Sequence, residues 1–178
     1  MDGDQQAPGA TPPAERRPAT DAEARALASS LRLRILRMTL DEPLTNQQIA
    51  ERLGRHPASV LHHVRTLLDT GFLVPEGERR GARGAREIPY RATRKSWHTE
   101  VPQEGQGAMV QAFLEESRAA GTERAKIARL GLRLTGPEFE ELTERLDALL
   151  ADYAARPPSP GGEPWSVFLA VHPDPGRD

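Results

Sequence analysis

Residues 45–71, TNQQIAERLGRHPASVLHHVRTLLDTG, constrain the fold more tightly than any other part of the chain. Thr45 can cap a helix through its hydroxyl while Gln48, three residues on, reaches back to the Thr45 backbone, which is the capping-box spacing. Ile49, Ala50 and Leu53 give that helix one apolar face, and Gly54 follows as the residue that enters the left-handed conformation at least cost. His56 and Pro57 then open a second helix, since proline at the first helical position loses no hydrogen bond and already holds the required φ. Val60, Val64 and Leu67 recur at helical spacing and form its buried stripe. Arg55, Ala58, Ser59, Leu61, His62 and Arg65 are left to look outward. Such a helix-turn-helix pair occurs in many all-helical domains as well as in proteins whose second helix enters a DNA major groove.

The residues that follow favour the second kind. Gly71 can end the helix, and Phe72, Leu73 and Val74 make a short apolar strand limited by Pro75. The next stretch, EGERRGARGARE over residues 76–87, is too polar and glycine-rich to be core and reads as a hairpin tip. The chain returns through Ile88, Pro89, Tyr90, Arg91, Ala92 and Thr93 as a second strand. A hairpin placed here is the wing of a winged helix, and its tip brings Arg79, Arg80, Arg83 and Arg86 beside the recognition helix, where phosphates or a minor groove are expected.

Charge is divided to match. The formal net charge is −2, yet residues 29–98 hold thirteen Arg or Lys against seven Asp or Glu, and residues 100–178 hold eight against fourteen. A basic middle beside an acidic C-terminal part suits a chain of which one region meets a polyanion. Upstream, residues 1–19 contain no large aliphatic residue after Met1 and read as a disordered tail. A single helix is predicted over residues 20–40, opened by a Thr20/Glu23 capping box, with Arg32, Arg34 and Arg37 on its flanks for solvent or phosphate.

The run LRLRILRMTLDEPLTNQQIAERLGRHPASVLHHVRTLLDTGFLV, with the arginine-rich hairpin and the YRAT that closes it, resembles the winged helix-turn-helix domain of ArsR-type bacterial transcriptional regulators over residues 27–97. The resemblance implies a homodimer on a palindromic double-stranded operator, usually as a repressor, with residues 57–69 in the major groove. By position it places Ser59 and His62 toward DNA, Arg65 near the backbone, and His63 in a His-His step frequent in the family. With Thr45, Asn46, Arg55 and His56 at the helix starts and the four wing arginines, these are the candidate DNA-binding residues. Leu61 and Leu68 depart from the family pattern, and Leu61 fits either a thymine methyl or simple packing.

Beyond the wing, residues 105–121 have helical spacing, AKIARLGLRLT (125–135) alternates as a half-buried strand, and Thr135, Pro137 and Glu138 open a helix to about Ala155. After RPPSPGGEP, the stretch WSVFLAVHP is a second strand. The predicted class is α+β: a disordered tail (1–19), a winged helix-turn-helix of three helices and a β-hairpin (20–98), and a small helix-strand-helix-strand region for dimerisation or an effector (105–178). A small-molecule effector pocket among Phe139, Tyr153, Trp165 and Phe168 is one reading of that region, and plain core is the other.

Several classes are disfavoured. The chain has no cysteine, so thiolate metal sites and disulfides are excluded, which suits a cytoplasmic protein. His56, His62, His63, His98 and His172 are too scattered to suggest a metal site, and no nucleophile, base and orienting group come together, so neither cofactor nor catalysis is assigned. No apolar run is long enough for a membrane span. The alternative function is a protein-interaction module built on a winged-helix scaffold, with Leu61 and Leu68 as contacts.

Overall fold

Side-chain caps divide the first half of the chain into helices. The computed structural model describes residues 16–80, 86–121 and 123–177, with the backbone alone for Arg80 and Glu104, so most of the predicted tail and Arg83 lie outside the described residues. Thr20 opens α1 (Asp21–Leu27) with its capping box formed: Glu23 N donates to Thr20 Oγ1 at 3.3 Å and Thr20 N to Glu23 Oε2 at 2.9 Å. Ser29 opens α2 (Ser30–Met38), accepting from Arg32 N at 3.5 Å. The single helix expected over residues 20–40 is therefore two, and four helices precede the wing where three were expected. The break is held by Arg32, whose guanidinium donates to Ala26 O and Arg25 O, both at 2.5 Å, and so satisfies carbonyls that the end of α1 leaves open.

Thr45 and Gln48 form the predicted box at the start of α3 (Asn46–Leu53), with bonds of 3.0 and 3.2 Å. Gly54 ends the helix at φ 62°, a left-handed position that a residue with Cβ enters only with strain. His56 and Pro57 open α4 (Pro57–Asp69), where Ala58 N donates to His56 Nδ1 at 3.2 Å.

The strands are short: β1 (Arg17–Pro18), β2 (Leu44–Thr45), β3 (Leu73–Pro75), β4 (Arg79–Arg80), β5 (Arg86–Glu87), β6 (Pro89–Ala92) and β7 (Thr99–Glu100). They pair as an antiparallel sheet in the order β2, β6, β3, a β4–β5 hairpin, and a parallel β1–β7 pair. The register sets Leu73 opposite Ala92 and Pro75 opposite Tyr90 at the wing base, and Arg79 opposite Glu87 at its outer part. Leu27, Ile35, Leu44, Ile49, Val60, Val64, Leu67 and Phe72 are buried together beneath these elements. Removing their surface from water drives the helices onto the sheet.

Helix α5 (Gln103–Ala120) packs on α1 and α2 and so belongs with residues 16–125. Its Ala112 is buried, Arg34 pairs with Glu115 at 2.9 Å, and Arg37 lies 3.9 Å from Glu116. Arg32, Arg34 and Arg37 thus serve contacts within this unit.

A second unit includes residues 126–177 and their α6 (Gly136–Ala155), capped by Thr135, whose N and Oγ1 donate to Glu138 at 2.8 and 2.7 Å. Among the described residues, the strands predicted at 125–135 and 165–173 join no ladder. Their alternating pattern needs a neighbouring strand to complete it, and no described residue from 126 to 177 is buried. Of Phe139, Tyr153, Trp165 and Phe168, expected in a core or pocket, the first three are 45%, 62% and 66% exposed and Phe168 is half-buried. Among the described residues no helix is long and apolar enough to cross a membrane.

Candidate nucleic-acid interface

The caps that build α3 and α4 also decide what their surface offers. Because Val60, Val64 and Leu67 are fully buried, helical geometry turns Ala58, Ser59, His62 and Arg65 to solvent, and Arg55 is exposed in the turn before the helix. No carboxylate interrupts residues 55–65, so the exposed face carries only positive and neutral groups. Ser59 Oγ donates to His56 O at 2.9 Å, which fixes the start of the helix and leaves the hydroxyl able to accept.

The wing is tied to this helix pair by one side chain. Gln48 Oε1 accepts from Thr45 N at 3.0 Å and also from Arg79 Nη2 at 2.7 Å, so the capping residue of α3 anchors the outer wing. Arg79 further pairs with Glu87 at 3.4 Å, and Arg86 pairs with Glu78. At the base, Arg91 holds Glu76 at 2.5 Å and Asp41 O at 2.8 Å. An arginine thereby stands beside the N-terminal end of α3, where unsatisfied N–H groups and the helix dipole already favour an anion.

The candidate residues separate accordingly. Arg55, His56, Ser59, His62, Arg65, Arg79 and Arg86 are exposed. Arg80 contributes a strand position opposite Arg86, and Arg83 is outside the described residues. Thr45 is buried at 4% exposure with its hydroxyl in the cap, and Asn46 is half-buried, donating to Pro57 O at 3.0 Å. Its Oδ1 is buried with no partner. His63 is half-buried, with Nδ1 3.4 Å from Arg32 Nη1. Thr45 thus serves a helix cap, and His63 sits half-buried on the flank of α4 beside Arg32.

Burial first, and then the nearby Arg32, lower the His63 pKa. The unfolded chain therefore takes up a proton more readily than the folded one, and stability is fully present above the ordinary histidine pKa and falls as pH drops through it. His63→Gln should flatten the pH dependence of unfolding between about pH 7.5 and 5.5 relative to the parent, measured by urea denaturation.

Two connections were missed from the sequence because their partners are far apart in the chain. Glu23, 5% exposed, receives Arg17 at 2.8 and 2.6 Å and Lys95 at 2.6 Å, and these bonds with that of Thr20 N hold its pKa well below the carboxylate range. Lys95 Nζ also donates to Thr70 O at 2.6 Å, at the C-terminal end of α4, and lies 5.1 Å from the Phe72 ring centroid. Arg94, at φ 61°, is the one described non-glycine residue with positive φ and turns the chain just before Lys95. The exposed helix is thus fastened at its end to α1.

A family model described as a helix-turn-helix domain matches residues 27–76. Comparison with curated proteins finds no match. Among solved structures, reduced HlyU from Vibrio cholerae N16961 is 22% identical, with 53% of this chain and 84% of that chain covered at a TM-score of 0.33. Wild-type ZitR from Lactococcus lactis in complex with DNA is 20% identical, with 70% and 74% covered at a TM-score of 0.32. The matched segment contains α3, the Gly54 turn and α4, so these residues are similar to a helix-turn-helix domain.

Proposed function

We propose that this chain is a sequence-specific DNA-binding transcriptional regulator, acting as a homodimeric repressor with α4 in the major groove and the wing on the backbone or minor groove. The observation that carries this reading is the exposed α4 face of Ser59, His62 and Arg65 with Arg55 in the turn before it, free of carboxylates and flanked by an arginine wing fastened through Gln48. Phosphates would be met by Arg55, Arg65 and the wing, and base edges by Ser59 and His62. Dimerisation supplies the second half-site, since one helix-turn-helix reads only one. Met109, Val110 and Leu114 of α5 are exposed and offer an apolar stripe for it. The protein-interaction alternative loses one of its two contacts, because Leu68 packs against the core.

Fluorescence anisotropy with a selected duplex and its scrambled counterpart tests the proposal. Specific binding should exceed non-specific binding by about 10³-fold or more, and equal affinities would rule the reading out. His62→Ala should change the preference among bases by about 1 kcal/mol, with the salt dependence of binding unchanged.

A further inference from the structure

The arginines of α2 are not equivalent. Arg34 pairs with Glu115 and Arg37 lies beside Glu116, so each has a carboxylate from α5. Arg32 has none among the described residues: its Nε and Nη2 donate to Ala26 O and Arg25 O, both at 2.5 Å, and its Nη1 lies 3.4 Å from His63 Nδ1. Carbonyls and an imidazole supply dipoles but no negative charge. Burial accordingly pushes the Arg32 pKa down with no carboxylate to oppose it, whereas Glu23 raises that of Arg17 and Glu76 that of Arg91. A half-buried guanidinium left in this state calls for an anion.

Both side chains of the contact remain able to donate. A guanidinium has one N–H on Nε and two on each terminal nitrogen, so Nη1 and Nη2 of Arg32 each keep one for a further acceptor. Arginine offers no acceptor, so the contact with His63 requires Nδ1 to be unprotonated, and the neutral ring then carries its hydrogen on Nε2. The surroundings are cationic. The charged groups that bear on His63 are Arg32 of α2, His62 of its own helix and Arg55 of the turn before it. On α1, Glu23 is committed to Arg17 and Lys95. His63 stands on the flank of α4, a helical turn after the exposed Ser59, rather than on its outermost face. A helix seated in a major groove has phosphate strands along its flanks, and a backbone contact is what a donor in that position can make.

We propose that Arg32 and His63 form a phosphate-oxyanion subsite where α1, α2 and α4 meet, and that a backbone phosphate of the duplex fills it. The source of the phosphate rests on the DNA reading of the proposed function, but the site itself does not. Arg32 holds the break between α1 and α2 with the N–H groups it gives to carbonyls and meets the anion with those that remain. The anion supplies the negative charge that the cluster lacks, so His63 takes up a proton more readily when the site is filled.

Heteronuclear NMR of the histidines in the full chain tests this, with a mixed-sequence duplex of about two helical turns as one probe and sodium phosphate against sodium chloride at equal ionic strength as the other. Free His63 should show the Nε2–H tautomer, and the duplex should raise its pKa by about 1 or more. Anisotropy over a salt series adds a readout that a change in fold stability does not mimic. Arg32→Gln should reduce the slope of log affinity against log salt by ~1 for every sequence, and Arg32→Lys, which keeps the charge, should restore most of it. A duplex that binds but leaves the His63 pKa where it is, or that binds the Arg32→Gln chain with the parent's slope, overturns the subsite while the DNA reading stands. A chain that binds no duplex, but whose His63 pKa rises with phosphate and not with chloride, keeps the subsite and overturns the DNA reading. No response to either probe overturns both.

Discussion

Glu23→Gln is expected to lower the unfolding free energy of the winged unit by about 2–3 kcal/mol, because it removes a carboxylate that ties α1, β1 and the turn at Lys95 together. The side chain accepts from Arg17, Lys95 and Thr20 N, and it is nearly inaccessible. A glutamine keeps the shape but returns one donor where three donors converge. The figure is set below the ~3–5 kcal/mol of a fully buried pair because Arg17 and Lys95 side chains are 49% and 31% exposed, so solvent screens part of the interaction. The sign of the pH dependence follows from the pKa, which the Arg17 bond above all depresses below the ordinary value. Stability from this carboxylate is complete above the unfolded glutamate pKa of about 4.3 and is lost as pH falls below it. Urea denaturation should therefore find the parent and the variant converging toward acid pH, and a constant difference across that range would show that Glu23 acts through shape alone.

Changing Arg79, Arg80 and Arg83 together to Ala is expected to lower affinity for all duplexes alike and to reduce the slope of log affinity against log salt by up to ~3. The structure sharpens this. Arg79 already bonds Gln48 and Glu87, and Arg86 already pairs with Glu78, so a phosphate must compete with a carboxylate for either one. Arg79→Ala alone should reduce the slope by less than ~1, and Glu87→Gln, which frees Arg79 from its carboxylate, should strengthen binding to any sequence. Anisotropy titrations over a salt series measure both effects. A triple variant with the parent's slope would show that the wing does not reach phosphate.

Residues 45–71 were legible because their signals are local and agree. The Thr45 and Gln48 box, Gly54, and the His56–Pro57 start each act within a few residues, and the buried stripe of α4 follows from spacing alone. The break between α1 and α2 was concealed because apolar spacing runs on from Leu27 to Leu31 and Ile35, while the restraint is Arg32 reaching back to Arg25 and Ala26. The half-burial of His63 was concealed for a related reason. It sits on the flank of α4 between the buried and exposed faces, and what draws it inward is α2, an element remote in sequence. Alternation at 125–135 predicted a half-buried strand, and the described residues show none there, because a period of two sets which side chains share a face but does not supply the neighbouring strand.

The central claim, that the exposed face of α4 reads base pairs, is tested most directly by selecting duplexes from a random library with the full chain and sequencing those retained. A two-fold symmetric pair of half-sites about one helical turn apart, ~10 bp, is the predicted result, with the preferred bases altered in a parallel selection using His62→Ala. Recovery of no enriched sequence, or of the same bases with parent and variant, would contradict it.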